Sequence, residues 1–102
     1  MNETYSVEIK QTALDDMEAI YSYIVRKFKS IVIAEQHYEA FILSIQGLEY
    51  DAGMRPIYVE RKGIDIYRKS VKNYMLLYTI SSRKVIVLRV LYEKRNVYTH
   101  LN

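Results

Sequence analysis

The chain has 102 residues, a formal net charge of +3 and no cysteine. Its length fits one small domain over residues 1–102, and the lack of cysteine excludes disulfides, thiolate metal sites and cysteine nucleophiles. The N-terminus MNETYSVEIK has neither the basic nor the apolar region of a signal peptide, and the apolar stretches are too short to span a bilayer. We therefore expect a soluble, cytoplasmic protein.

Charge is distributed unevenly along the chain. Residues 1–50 carry four Lys/Arg and eight Asp/Glu, a net charge of −4, whereas residues 51–102 carry eleven and four, a net charge of +7. A basic half suits a phosphate backbone or an acidic protein partner, although lysines that merely solvate exposed strands produce the same pattern. The eleven tyrosines suit half-buried strands and binding surfaces alike.

The start of the chain predicts one strand and then a helix. Residues 4–9 alternate between apolar and polar side chains, as in a half-buried strand. Thr12 and Asp15 form a capping-box-like start for the helix, and its last turn is basic. Its apolar side chains recur at helical spacing: Leu14, Met17, Tyr21, Ile24 and Phe28. We attribute Asp15-Asp16 to the first helical turn, where the dipole favours acids, rather than to a catalytic carboxylate pair.

A second helix and four strands complete the predicted order β-α-α-β-β-β-β. The helix spans about residues 31–48, antiparallel to the first, with its own apolar stripe: Ala34, Tyr38, Phe41, Ile45 and Leu48. Strand patterns follow at residues 57–60, 64–71, 73–80 and 85–92. We therefore predict an α+β fold, with an N-terminal strand and a helical hairpin packed on one face of a mostly antiparallel four- to five-stranded sheet.

Few residues suggest chemistry of their own. His37 and His100 lie outside any cluster, and no spacing typical of metal ligands occurs, so we expect no metal. The three glycines are scattered, which argues against a nucleotide-binding loop, and we expect no cofactor.

Arg89 is unusual because it interrupts an otherwise apolar strand. Strand alternation places it on one face with Val87 and Leu91. An arginine there is costly unless it is paired or faces a cleft. An ion pair with a helix carboxylate such as Glu18 or Glu39, and a functional cation, are both open interpretations.

The element order and three segments together resemble the RelE/ParE superfamily of bacterial toxins: residues 63–68 (GIDIYR), 73–78 (NYMLLY) and 88–96 (LRVLYEKRN). The resemblance covers nearly the whole chain. Members belong to type II toxin–antitoxin operons, and each is neutralised by a co-expressed antitoxin that wraps the toxin and covers its basic surface. The resemblance therefore implies the RelE/ParE fold, growth inhibition and a cognate antitoxin as partner.

The superfamily divides by target. RelE-like members are ribosome-dependent mRNA endonucleases, and for such an activity the resemblance implies these catalytic residues, without metal: Arg68, Lys94, Arg95 and Tyr98. ParE-like members inhibit DNA gyrase, and for such an activity the implied target-binding set is larger: Arg68, Arg89, Tyr92, Lys94, Arg95 and Tyr98. A non-toxic RNA-binding module that uses basic strands and stacking tyrosines is a further alternative.

Two positions favour the ParE-like alternative. Cleaving relatives keep an arginine at the central-strand position that Met75 occupies here, and some keep a C-terminal histidine near Leu91. Losing a cation that stabilises transition-state charge typically costs about 10²–10³ in rate. We therefore expect a toxin that binds an essential target such as gyrase.

Overall fold

The computed structural model describes residues 4–95 and residue 101. Its elements follow the predicted order: β1 (Ser6–Ile9), α1 (Gln11–Phe28), α2 (Ile31–Asp51), a 3₁₀ turn (Ala52–Met54), β2 (Val59–Arg61), β3 (Ile64–Val71), β4 (Tyr74–Ser81) and β5 (Lys84–Tyr92). Neither of the helices in this part of the chain is long and apolar enough to cross a membrane.

The five strands form one mixed sheet in the order β1-β5-β4-β3-β2. β1 runs parallel to β5, and every other neighbouring pair is antiparallel. The helical hairpin covers one face, where the helix-side core includes Met17, Phe41, Leu48, Leu76, Tyr78, Val85, Val87 and Val90. Because successive strand residues point to opposite faces, Met75 and Leu77 face away from the helices. With Ile66 and Leu91 they form the outer cluster. The predicted fold class is confirmed.

The start of α1 differs from the predicted capping box. Its N-cap is Lys10, no described side chain caps it, and its first turn, all of it described, contains no acid. Thr12 Oγ1 instead donates to the carbonyl oxygen of Leu88 at 2.8 Å. The capping box of Thr12 and Asp15 and the dipole explanation for Asp15-Asp16 are therefore wrong, because the helix begins one residue before Thr12 and docks it on the sheet.

The predicted apolar stripes of the helices are buried where the helices pack on the sheet. Ala34, Phe41, Ile45 and Leu48 of α2 are buried as predicted, and the helix continues to Asp51. In α1, Met17 and Ile24 are buried. Phe28, however, is 52% exposed because it ends the helix, and Lys29 then turns the chain with a φ of 53°.

A β-bulge in β5 changes which side chains share a face. Leu77 of β4 pairs with Arg89 and Tyr78 pairs with Val87, so Leu88 is an extra residue between them. Val87 therefore belongs to the helix-side core, whereas Leu91 belongs to the outer cluster. The prediction that Arg89, Val87 and Leu91 share one face is wrong, because simple alternation assumes a regular strand.

Candidate functional site

Arg89 is paired with Asp16 of α1. Its Nε donates to Asp16 Oδ2 at 2.7 Å and its Nη2 donates to Oδ1 at 2.9 Å. The side chains of Arg89 and Asp16 are 24% and 16% exposed, and the hydrogen bond to Asp16 raises the pKa of Arg89. The expected ion pair with a helix carboxylate is present, but its partner is Asp16 rather than Glu18 or Glu39.

The sheet topology explains why Asp16 holds this position. β1 pairs with β5 only as far as Ile9, which lies opposite Val87, and the chain then turns into α1. Beyond that point, side chains of α1 form hydrogen bonds with the backbone at the edge of β5. Asp16 Oδ2 accepts one from Val90 N at 3.0 Å. The end of β5 is therefore fixed to α1 by a charge-assisted contact between residues 74 positions apart.

A groove of about 750 Å³, which we call the α1–β5 groove, lies between α1, the first turns of α2 and the end of β5. Apolar and aromatic side chains form most of its lining: Ala19, Ile20, Tyr23, Ile24, Phe28, Ile33, Tyr74, Val90, Leu91 and Tyr92. Its charged lining residues are Asp16, Lys27, Arg89 and Arg95. This size, and a mostly apolar lining with a few polar groups, are typical of binding sites.

Three tyrosines and a lysine meet in the groove. The ring of Tyr74 packs edge-to-face on Tyr92 at 5.8 Å, and the ammonium of Lys27 lies 5.6 Å from the ring centre of Tyr23. Burial raises the pKa of Tyr74, and the phenols of Tyr23 and Tyr92 raise it further. The hydrogen bond with Tyr23 raises the pKa of Lys27. At neutral pH the groove therefore presents an uncharged phenol and a fully charged ammonium.

Three of the predicted site residues line this groove: Arg89, Tyr92 and Arg95. Tyr23, Lys27 and Tyr74 complete the groove and were not predicted as site residues. The sequence indicated only that the last turn of the first helix is basic and that Tyr74 belongs to the strand at residues 73–80. The sequence does indicate that Tyr23 and Lys27 lie side by side, because residues four apart are neighbours on a helix surface.

The remaining predicted residues lie elsewhere. Arg68 projects from the outer face of the sheet, where its guanidinium lies 4.5 Å from the ring centre of Tyr58. Lys94 is exposed in the turn after β5. Tyr98 lies outside the described residues. The structure therefore places Arg68 on β3, with β4 between it and the groove residues of β5.

Met75 lies at the centre of the outer cluster and is fully buried. Ile66 and Leu77 are buried beside it, and Leu101 packs against the cluster. Leu91 is only 5% exposed. Met75 and Leu91, the two positions at which the resemblance implied polar groups in cleaving relatives, are thus part of an apolar cluster.

A separate polar network joins the end of α2 to the sheet. Asp51 accepts hydrogen bonds from Arg55 Nη1 at 3.0 Å and from Lys69 Nζ at 3.1 Å, and Tyr78 donates to the carbonyl oxygen of Ala52 at 2.8 Å. Burial disfavours the ionised form of Asp51, but the hydrogen bonds from Arg55 and Lys69 outweigh it and lower its pKa. None of these residues lines the groove. Among the described residues, no three His, Cys, Asp or Glu side chains form a group that could hold a metal ion.

The hairpin of two helices on a five-stranded sheet with a parallel N-terminal strand defines the RelE/ParE-like class of folds. The chromosomal ParDE toxin–antitoxin system from P. aeruginosa aligns with a TM-score of 0.75 and 15% identity, over 89% of this chain and 98% of that one. The RelE–RelB complex from Pyrococcus horikoshii aligns with a TM-score of 0.63 and 19% identity, over 91% and 99%. The RelBE2 toxin–antitoxin complex from Mycobacterium tuberculosis aligns with a TM-score of 0.63 and 21% identity, over 87% and 98%.

The family is identified by sequence. The family model described as "ParE toxin of type II toxin-antitoxin system, parDE" matches residues 7–97. The chain therefore belongs to the ParE toxin family, and the resemblance to the RelE/ParE superfamily is confirmed. No curated protein matches the chain significantly.

Proposed function

We propose that this protein, acting as one domain over residues 1–102, is a growth-inhibiting cytoplasmic toxin that binds an essential target such as DNA gyrase without cleaving RNA. A cognate antitoxin neutralises it. Membership of the ParE family supports the toxin function. The related structures from P. aeruginosa, P. horikoshii and M. tuberculosis are toxin–antitoxin systems or complexes, which supports an antitoxin partner.

The burial of Met75 is the observation that carries the proposal. Cleavage of RNA by the 2′-hydroxyl needs a base, an acid and a cation that stabilises the charge on the phosphate. On the outer face, Met75 is fully buried and Leu91 is almost so, while Arg68 lies over Tyr58. This face offers an apolar cluster where a nuclease would hold its polar groups, which favours binding over catalysis.

The experiment compares two activities of one preparation. Purified protein is added to purified gyrase with relaxed plasmid, and separately to a translating extract whose mRNA is mapped by primer extension. We expect supercoiling to be inhibited and the mRNA to remain intact.

The opposite pair of results would establish the RelE-like alternative. Codon-phased cleavage that disappears in Arg95→Ala or Tyr98→Phe, with supercoiling unaffected, would show that the protein is a ribosome-dependent endonuclease. Cleavage unaffected by both substitutions would contradict the assignment of those two residues to the catalytic set.

A further inference from the structure

Resting on the proposed toxin function, we infer that the α1–β5 groove is the surface that recognises the target. Its occupant is a protein segment that places an apolar side chain against Tyr74 and Tyr92 and a carboxylate on Lys27 and Arg95. This assignment puts target recognition between α1 and the end of β5, with β4 between it and Arg68.

The charge of the groove favours an acidic occupant. Among the described residues that line it, three are cationic: Lys27, Arg89 and Arg95. Among the described residues that line the groove, only Asp16 carries a carboxylate. Both of its oxygens accept hydrogen bonds from Arg89, and Oδ2 also accepts one from Val90 N. A carboxylate brought in by a partner would therefore meet a net positive groove whose own acid is already engaged.

The apolar surface favours a protein over a nucleic acid. Single-stranded nucleic acid binds along a basic track with its bases stacked on open aromatic faces. Here the lining is mainly aliphatic and phenolic, and Tyr74 is held edge-to-face by both Tyr92 and Phe41.

Exposed apolar side chains continue from the groove to the tip of the helical hairpin, where α1 ends and α2 begins. Tyr23 and Phe28 line the groove and are 44% and 52% exposed, and Ile31 and Val32 at the start of α2 are 58% and 62% exposed. Adjacent exposed apolar side chains of this kind mark protein interaction surfaces. The groove and the hairpin tip together provide the apolar centre and charged rim that protein interfaces use.

Two neighbouring cations on α1 provide a matched test. Lys27 and Arg26 are both exposed in the last turn of α1, but only Lys27 lines the groove. Lys27→Glu, Arg95→Glu and Arg26→Glu are each expressed from an inducible promoter without antitoxin, with protein level and circular dichroism checked. The half-inhibitory concentration for gyrase supercoiling is then measured for each purified protein.

We expect Lys27→Glu and Arg95→Glu to abolish growth inhibition and to raise the half-inhibitory concentration at least about tenfold, since a reversed charge repels the carboxylate. Arg26→Glu should remain toxic and within about twofold of the wild type. If wild type is toxic without inhibiting gyrase, the proposed target is wrong, but loss of toxicity in the groove variants still supports the inference.

Three outcomes would overturn the inference. In the first, both groove variants remain as toxic and inhibitory as the wild type. In the second, they keep toxicity but lose antitoxin binding, which makes the antitoxin the occupant. In the third, they lose affinity for DNA or RNA oligonucleotides in proportion to their loss of toxicity, which makes the occupant a nucleic acid.

Discussion

The carboxylate of Asp16 completes the edge of β5 where β1 stops. It accepts hydrogen bonds from Arg89 Nε, Arg89 Nη2 and Val90 N within 3.0 Å. The side chain of Arg89 is only 24% exposed, so its ion pair with Asp16 offsets part of the cost of removing the guanidinium from water. Asp16 thus determines where the last residues of β5, including Tyr92, lie relative to α1.

We predict that Asp16→Ala lowers the free energy of unfolding by about 3 kcal/mol, because it leaves Arg89 and Val90 N without this acceptor. Asp15→Ala is the control. Asp15 is exposed, and among the described contacts its carboxylate accepts a hydrogen bond only from the side chain of Gln11. It should change stability by no more than about 0.5 kcal/mol. Urea titration measures both, and equal losses would contradict the role given to Asp16.

At the scale of the elements, the two helices and most strand boundaries follow from periodicity in the sequence. Residues 6–9 alternate and residues 31–48 repeat at helical spacing, and in each of these segments one face packs on the core. The bulge at Leu88 and the partner of Arg89 depend instead on how β5 meets β4 and α1. These contacts join residues far apart in the sequence, so no local pattern encodes them.

The α1–β5 groove was only partly predictable for the same reason. Its cationic and phenolic residues at the end of β5, Tyr92 and Arg95, stand out as an exposed cluster after a strand. Tyr23 and Lys27 join them because α1 packs against β5. That packing brings together side chains that the sequence separates by some 70 positions.

The β2–β3 hairpin depends on the backbone freedom of Gly63. Lys62 and Gly63 have φ values of 54° and 79°, as two-residue hairpin turns with two left-handed residues require. We predict that Gly63→Ala lowers the free energy of unfolding by about 1 kcal/mol, since a side chain is disfavoured at that φ. Gly63→Asn, which tolerates the left-handed region better, should cost less. Thermal unfolding of both variants tests this, and an Ala variant as stable as the wild type would contradict it.

At the scale of the whole molecule, Asp51 contributes to the pH dependence of stability. Its pKa is lower in the folded protein than its ordinary value, because the bonds from Arg55 and Lys69 outweigh the effect of burial. The unfolded chain therefore takes up this proton at a higher pH than the folded chain does. The stabilisation is complete above the ordinary aspartate pKa of about 3.9 and is lost as pH falls from there through the lower folded pKa.

We therefore predict that Asp51→Asn is less stable than the wild type at pH 7 and that the difference shrinks as the pH falls below about 4. Urea midpoints measured from pH 7 to pH 2.5 give the comparison. Asp65→Asn, at an exposed position of β3 outside the network, serves as the control and should follow the wild type throughout. A difference for Asp51→Asn that does not change with pH would contradict the assignment.

The outer cluster and the α1–β5 groove have different characters, and this difference supports the functional proposal. The outer face buries Met75 and Leu77 in an apolar cluster. The groove, between α1 and the end of β5, has Lys27 and Arg95 beside three tyrosines. This arrangement supports the proposal that the protein holds a partner rather than cleaving a phosphodiester bond.

The most direct test of that claim is to induce the protein in growing bacteria without its antitoxin and follow DNA, RNA and protein synthesis by separate pulse labels. A toxin that binds gyrase should stop DNA synthesis first, with protein synthesis continuing until later and mRNA remaining intact. Immediate arrest of protein synthesis with cleaved mRNA, while DNA synthesis continues, would contradict the account.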